Sequence, residues 1–117
     1  MSINRTNTNE RMSQTVAHGN TIYVAGQVAL DAPNASVADQ TRDILKRIDN
    51  LLAETGSDKS KLLSATIWLT SMDDFNEMNG IWDAWVLPGD APARACVESR
   101  LAAPQFTVEI AVIAAAN

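Results

Sequence analysis

The stretch Leu62-Leu63-Ser64-Ala65-Thr66-Ile67-Trp68-Leu69-Thr70 decides the fold, because its residues alternate between apolar and polar types. This period of two predicts a β-strand whose two faces differ in character. On one face Trp68 stands among hydroxyl groups, which favours contact with a neighbouring subunit over exposure to bulk water. The other face is apolar, and helices are expected to pack on its residues Leu63, Ala65, Ile67 and Leu69.

Helices are predicted on both sides of this strand in the sequence. Before it, apolar residues spaced three or four apart run through residues 37–52. Ser36 is the predicted N-cap of this helix and Gly56 its stop. After the strand, Ser71 or Asp73 is expected to cap a second helix. Its predicted buried stripe consists of Phe75, Met78, Trp82 and Trp85.

Further strands are predicted near both ends of the sequence. Residues 13–17 and 21–27 are expected to form a hairpin around the turn Gly19-Asn20. Residues 93–98 and 106–114 are expected to form two closing strands. The order β-β-α-β-α-β-β predicts an α+β domain, a mixed sheet with two helices on one face. The β-α-β units also predict right-handed crossovers and some parallel pairing.

The composition is that of one acidic globular domain. Nine Lys and Arg against fourteen Asp and Glu give the 117 residues a net charge of −5. Residues 13–117 are assigned to a single domain, and the polar residues 1–12 to a flexible N-terminal segment. The negative charge argues against nucleic acid as a partner, because affinity for polyanions depends on cationic groups. The N-terminus lacks the apolar core of a signal peptide, and no apolar run has the length of a membrane span, so we expect a cytoplasmic protein with no membrane partner.

Metal and disulfide chemistry have little support in this sequence. Cys96 is the single cysteine and His18 the single histidine, which excludes an internal disulfide and the usual zinc patterns. We therefore expect no metal site. His18 is interpreted as a surface turn residue, and Cys96 taken alone as a small packing residue.

Alternation in the closing strands brings together side chains that could carry chemistry. Arg94 and Cys96 share one side of their strand, and Glu109 points away from the core-like residues of the last strand. If the apolar residues face the helices, Arg94, Cys96 and Glu109 all emerge on the helix-free side of the sheet. From spacing alone, a structural ion pair between Arg94 and Glu109 is the favoured alternative. Gly26 either ends its strand or lets a ligand approach the backbone closely.

Several segments taken together resemble the RidA family, also called YjgF. The similar segments are Gly26-Gln27-Val28, Asp74-Phe75-Asn76-Glu77-Met78-Asn79, Pro92-Ala93-Arg94-Ala95-Cys96-Val97-Glu98, Arg100-Leu101 and Val108-Glu109-Ile110-Ala111-Val112-Ile113-Ala114. Two more segments are similar to the YoaB-like branch of that family, Gly56-Ser57-Asp58-Lys59-Ser60 and Trp82-Asp83-Ala84-Trp85-Val86. The resemblance extends over residues 13–114.

This resemblance implies a chorismate-mutase-like fold and a homotrimer with ligand clefts between subunits. It also implies a cofactor-independent deaminase that hydrolyses reactive 2-aminoacrylate-type enamines and imines to 2-oxo acids and ammonia. By the same resemblance Arg94 holds the substrate carboxylate, and Cys96 lines the cleft. Glu109 then positions the attacking water, and Gly26 contacts the ligand through its backbone. One departure is that the family's tyrosine before the first predicted strand is absent from Arg11-Met12-Ser13-Gln14.

Two other functions stay open on the sequence. A non-catalytic trimeric module would keep the pocket for small carboxylates without turnover. The family has also been labelled an L-PSP endoribonuclease. That activity has little support here, because the chain is acidic and His18 has no obvious basic partner.

Overall fold

Six strands form one mixed sheet with two helices on one of its faces, as a computed structural model shows for residues 2–116. The strands are β1 (Ile3–Thr6), β2 (Thr15–His18), β3 (Thr21–Gln27), β4 (Leu62–Leu69), β5 (Ala93–Glu98) and β6 (Val108–Ala115). The helices are α1 (Val37–Glu54) and α2 (Phe75–Trp85). Across the sheet the order is β1-β2-β3-β6-β4-β5, with β4 and β5 parallel and the other neighbouring pairs antiparallel. The predicted α+β class with a mixed sheet is confirmed.

The hydrophobic core lies between the helices and the sheet, and it includes Ile22, Ile44, Ile48, Ile67 and Ile110. Residues of β6 alternate between buried and half-buried, so every second side chain points away from the helices. We call that opposite side of the sheet the helix-free face. Neither helix within residues 2–116 combines the length and the apolar character that a membrane span requires.

The first helix begins and ends where the local signals predict. Ser36 Oγ accepts a hydrogen bond of 3.1 Å from the backbone N–H of Asp39, which is the expected N-cap. Beyond the last turn, Gly56 has a φ of +80°, a conformation that glycine adopts without strain. The buried residues of α1 repeat at the helical period and are Val37, Gln40, Thr41, Ile44, Leu45, Ile48, Leu51 and Leu52.

One member of that stripe, Gln40, is a fully buried amide that apolar periodicity does not single out. Its Nε2 donates to the backbone oxygens of Ala35 and Gln105 at 3.1 and 3.2 Å. Its Oε1 accepts a hydrogen bond of 2.9 Å from the backbone N–H of Thr107. Because residues 105 and 107 directly precede β6, this side chain fixes the start of α1 to the strand that carries Glu109.

Replacing Gln40 by methionine is therefore expected to destabilise the protein. The Gln40→Met variant leaves the Ala35 oxygen and the Thr107 N–H without this partner, while the Gln105 oxygen keeps its hydrogen bond from the Asn34 N–H. The free energy of unfolding should therefore fall by about 3 kcal/mol. Urea denaturation at a fixed protein concentration measures this change. Ala53→Met, at an exposed position of α1, is the matched control and should stay within about 0.5 kcal/mol of the parent. A Gln40→Met variant as stable as that control would contradict the role given to Gln40.

The segment expected to be flexible contains a strand. Ile3–Thr6 pairs with β2, from Ile3 opposite His18 to Thr6 opposite Thr15, and the hydroxyls of Thr6 and Thr15 hydrogen-bond. Four of the twelve residues assigned to the flexible segment therefore belong to regular secondary structure. A short edge strand with three polar residues out of four has no apolar alternation, so its sequence lacks the signal that marks the inner strands.

A β-bulge changes one detail of β4. The register between β4 and β6 shifts between Leu62 and Ser64, so Leu62 is buried and Leu63 is 51% exposed. The prediction that Leu63 faces the helices was wrong for that reason. From Ala65 onward the predicted alternation is confirmed, with Ala65, Ile67 and Leu69 buried.

Candidate functional site

Arg94 lies on β5, one of the two edge strands of the sheet, and its side chain turns toward α2. In the parallel register Arg94 stands beside Ala65, a buried residue of the helix-covered face. Residues paired on neighbouring strands point to the same face, so Arg94 belongs to the helix-covered face too. Its Nη1 donates a hydrogen bond of 2.7 Å to Oδ1 of Asn79 on α2.

Two aromatic rings also lie close to this guanidinium. Its Cζ lies 5.5 Å from the ring centroid of Trp82 and 5.9 Å from that of Phe75, both within range of a cation–π interaction. Phe75, Asn79 and Trp82 are spaced four and three residues apart, so they share one face of α2. Arg94 is exposed and forms no salt bridge within residues 2–116. The cation is thus held by neutral groups, and the alternative of an ion pair with Glu109 is wrong.

Cys96 lies two residues along β5 on the same face as Arg94. It stands beside Ile67 in the parallel register and packs against the core. Burial raises the pKa of the Cys96 thiol, and the charge of Arg94 opposes this only in part. At neutral pH the group is therefore a thiol rather than a thiolate. The side chain is suited to lining a cleft next to Arg94, and not to acting as a nucleophile.

Glu109 and Gly26 lie together on a different part of the sheet. The register between β3 and β6 shifts between Val24 and Gln27, which places Gly26 in a bulge. A Cβ atom on Gly26 would lie 3.0 Å from Cδ of Glu109 and closer still to Oε2, so the carboxylate occupies the space that any other residue would need. Gly26 therefore has a local structural reason to be glycine.

The surroundings of Glu109 are partly apolar. Its cross-strand partner on β4 is Trp68, and the two side chains share the helix-free face. Burial raises the pKa of the Glu109 carboxyl above its ordinary value. A carboxyl with a raised pKa takes up and returns a proton closer to neutral pH than an exposed one does.

The structure does not bring Arg94 and Glu109 together within one protomer. Glu109 on β6 is paired with Trp68 on β4, and Trp68 is paired with Val97 on β5. Val97 lies three residues after Arg94 along β5, and β5 lies two strands from β6. A rise of about 3.3 Å per residue and a strand spacing of about 4.8 Å place the two Cα atoms about 14 Å apart. The two side chains also point to opposite faces.

Arg94, Cys96 and Glu109 were all predicted to lie on the helix-free face. The structure confirms this for Glu109, but Arg94 and Cys96 lie on the helix-covered face, so the prediction was wrong for them. That prediction placed Ala93, Ala95 and Val97 against the helices because they are apolar. On this edge strand they are exposed on the helix-free face, and Val97 has 45% of its surface accessible. Arg94 is accommodated on the helix-covered face because its guanidinium donates a hydrogen bond to Asn79 and lies near two aromatic rings of α2.

Asn79 is the site residue that sequence analysis did not assign. Its motif marked only the beginning of α2, and the aromatic residues around it were explained by burial. A signal was present, because an asparagine lies on the same helical face as Phe75 and Trp82. A polar residue in an apolar stripe indicates a specific hydrogen-bond partner, and the partner here is Arg94.

A cavity of about 410 Å³ opens beside Gly26. Met12, from the segment Arg11-Met12-Ser13-Gln14, lines it together with Val28, Leu30 and Leu51. No group of three or more His, Cys, Asp or Glu side chains capable of holding a metal ion occurs in the part of the chain that the structure describes.

Known proteins match nearly the whole of this chain. The family model described as Endoribonuclease L-PSP matches residues 2–116. A RutC family protein from Haemophilus ducreyi is 43% identical over 115 residues, covering 98% of this chain and 97% of that protein. The RutC family protein YoaB from Escherichia coli is 42% identical over 115 residues, covering 98% and 99%.

Solved structures agree with this assignment. A member of the YjgF protein family from Neisseria meningitidis superposes with a TM-score of 0.96 at 46% identity, covering 100% of this chain and 97% of that one. The agreement confirms the chorismate-mutase-like fold that the resemblance implied.

Proposed function

This chain belongs to the RidA family, also called YjgF, and to its YoaB-like branch, and from that premise we propose that it is an enamine and imine deaminase. Its substrates are 2-aminoacrylate-type compounds and the corresponding 2-imino acids, and its products are 2-oxo acids and ammonia. The observation that carries the proposal is the state of Arg94. An exposed guanidinium that forms no salt bridge with any carboxylate among residues 2–116 of its own chain is suited to bind the carboxylate of a small acid.

Each side chain has a distinct task in the proposed reaction. Arg94 binds the substrate carboxylate through parallel N–H···O bonds and so fixes the adjacent imine carbon. Glu109 accepts a proton from a water molecule as the water oxygen bonds to that carbon. The proton then passes to the nitrogen, which gives a carbinolamine with a hydroxyl and an amino group on the same carbon. Transfer of the hydroxyl proton to the amino group as the C–N bond breaks releases ammonia and leaves a 2-oxo acid. These steps consume one water molecule and need no redox partner.

The proposed site requires two protomers. The carboxylate and the imine carbon of a 2-imino acid are bonded to each other, whereas Arg94 and Glu109 of one chain are about 14 Å apart on opposite faces. We therefore propose a homotrimer in which Arg94 of one subunit meets Glu109 and Gly26 of the next. Tyr23 and Val97 support an interface on the helix-free face, because they are 47% and 45% exposed there.

Asn79 is expected to act as a positioning residue for Arg94. Removing its amide in Asn79→Ala releases one edge of the guanidinium, so KM should rise about tenfold while kcat changes less. Asn79→Asp should be more damaging, because the new carboxylate competes with the substrate for Arg94. Steady-state kinetics on a small 2-imino acid separate these effects, with Asn76→Ala on the exposed side of α2 as the control. Equal kinetics for the Ala and Asp variants would contradict this role.

As the pH is lowered, turnover is expected to begin falling at a higher pH than it would if the catalytic base had the ordinary pKa of a glutamate. Burial raises the pKa of Glu109 above its ordinary value, so the ionised base is present above that raised pKa and is lost as the pH drops through it. A pH profile of kcat measures this acid limb. Glu98→Gln, which changes an exposed carboxyl of β5, should retain the limb. A profile of kcat without an acid limb would exclude Glu109 as the base.

The proposed function is tested by coupling a threonine or serine dehydratase to this protein and following the formation of 2-oxo acid. Acceleration over the dehydratase alone, lost in Arg94→Ala, is the expected result. A trimer that binds 2-oxobutanoate or benzoate without accelerating hydrolysis would replace the deaminase by a carboxylate-binding module. RNA degradation that survives purification and disappears with a site mutation would favour the endoribonuclease named in the family description.

A further inference from the structure

A second concave surface lies on the outer side of the helix layer, between α1 and α2. Its volume is about 390 Å³, and we call it the outer groove. It is lined by Arg42, Leu45, Lys46 and Asp49 of α1, by Ile81, Ala84 and Trp85 of α2, and by Lys59 from the turn before β4. The proposed reaction uses none of these residues.

The outer groove combines an apolar floor with cationic groups. Leu45, Ile81 and Trp85 supply the apolar surface. Lys46 and Lys59 take part in no salt bridge among the residues that the structure describes, although the chain as a whole is acidic. Lys59 Nζ lies 5.4 Å from the ring centroid of Trp85. Two ammonium groups without carboxylate partners thus stand beside an aromatic surface.

The other two charges that line the outer groove already have partners. Arg42 forms a salt bridge of 2.7 Å with Asp39. Both oxygens of Asp49 accept from the indole N–H of Trp85, at 3.1 and 3.2 Å. The indole is thereby fixed in orientation, and the cations still available to a ligand are Lys46 and Lys59.

We propose that the outer groove binds a small organic monoanion with an apolar body, an aromatic or branched aliphatic acid. The apolar body packs on Leu45, Ile81 and Trp85, and the anionic group lies between the ammonium groups of Lys46 and Lys59. The volume falls within the range of small-molecule sites, about 300–1,000 Å³.

The dimensions of the outer groove favour a small molecule over a peptide. Residues 42–49 span about 10 Å along α1, and residues 81–85 span about 6 Å along α2, little more than one turn. A bound peptide helix uses anchors over at least two turns, so α2 offers it too short a surface. An acidic peptide would also extend beyond the groove over a chain whose net charge is −5, and it would be repelled there.

Two observations give the site further support. Lys59 and Trp85 come from the two segments that resemble the YoaB-like branch, residues 56–60 and 82–86, and these segments meet here. Trp85 also packs on Trp82 with ring centroids 5.4 Å apart, and Trp82 contacts the guanidinium of Arg94. A ligand on Trp85 would therefore lie two aromatic contacts from Arg94.

The test is isothermal titration calorimetry with 3-phenylpropanoate as the probe. The titrated protein carries Arg94→Ala, so that the proposed substrate site contributes nothing and the outcome is independent of deaminase activity. We expect saturable binding of one probe molecule per protomer. Adding Lys46→Gln and Lys59→Gln should weaken binding about tenfold, since each removes one exposed ion pair.

Two matched controls show whether the ammonium groups of Lys46 and Lys59 and the charge of the probe cause the change in affinity. Lys61→Gln changes a lysine in the same turn as Lys59 that is paired with Asp58 and does not line the groove, so it should leave the affinity unchanged. The neutral isostere 3-phenylpropanamide should bind at least tenfold more weakly than the acid. Failure to saturate, or equal affinities for the lysine variants and their background, would overturn the proposal. Loss of an oligomer on sedimentation of the Lys46→Gln/Lys59→Gln variant would also overturn it, because a second copy of the chain would then cover the groove.

Discussion

Arg94→Ala is expected to lower kcat/KM for small 2-imino acids by about a thousandfold, because it removes two charge-assisted hydrogen bonds worth about 4 kcal/mol together. The loss should appear in turnover and not in assembly. Arg94 lies at the edge of the sheet, where its guanidinium donates a hydrogen bond to Asn79 and lies near two rings of α2 in the same chain. The dehydratase-coupled formation of 2-oxo acid measures the kinetic effect, and analytical ultracentrifugation measures the oligomeric state.

Two further variants separate charge from geometry at this position. Arg94→Lys keeps the positive charge and loses the planar fork, so its kcat/KM should lie between those of the parent and Arg94→Ala. Arg100→Ala removes an exposed arginine shortly after β5 and should stay within about twofold of the parent. Turnover by Arg94→Ala equal to that of the parent would reject the role of this side chain.

Mixing two inactive variants is expected to restore activity. Arg94→Ala keeps Glu109, and Glu109→Gln keeps Arg94, so a mixed trimer has one cleft in which both groups are intact. Random assembly of equal amounts makes three quarters of the trimers mixed, and one cleft in three is intact in each. The mixture should therefore recover about a quarter of the parent activity.

The experiment needs variants with different tags, unfolded and refolded together, and mixed trimers isolated through both tags. Refolding Arg94→Ala with an Arg94→Ala/Glu109→Gln chain is the control and should recover nothing, because no cleft then contains an arginine at position 94. Isolated mixed trimers without activity would show that Arg94 and Glu109 do not meet across an interface. That result would contradict the composite site even if each single variant is inactive.

Local patterns predict much of this fold because the relevant interactions lie close together in sequence. The stripe of α1, its cap at Ser36 and the turn at Gly19-Asn20 all arise within one element or one hairpin, and the structure confirms them. The strand near the start of the chain was not predicted. The polar strand β1 derives its order from pairing with β2 rather than from an apolar face.

The candidate site shows where such patterns stop being informative. Residue type places Arg94 in a strand, but the face on which it emerges depends on how β5 is paired with β4. In β5 the apolar side consists only of two alanines and one valine. Alternation alone therefore does not decide which side of this edge strand faces the helices. The contact with Asn79 joins residues 15 positions apart across a helix and a loop, so no local period indicates it. Glu109 was placed correctly because β6 is an inner strand with a strongly apolar buried face.

The position of β6 determines when this domain can fold during protein synthesis. It is the last strand in sequence, yet it lies in the centre of the sheet, between β3 and β4. Until residues 108–115 have left the ribosome, the hairpin of β2 and β3 and the pair of β4 and β5 are separate pieces with unpaired inner edges. The nascent chain therefore cannot complete its hydrophobic core before β6 is available. Until then its unpaired strands stay exposed, and chaperones that shield such strands have time to bind them. Glu109 reaches the sheet together with that final strand, so partly synthesised chains lack a proton acceptor in the proposed cleft.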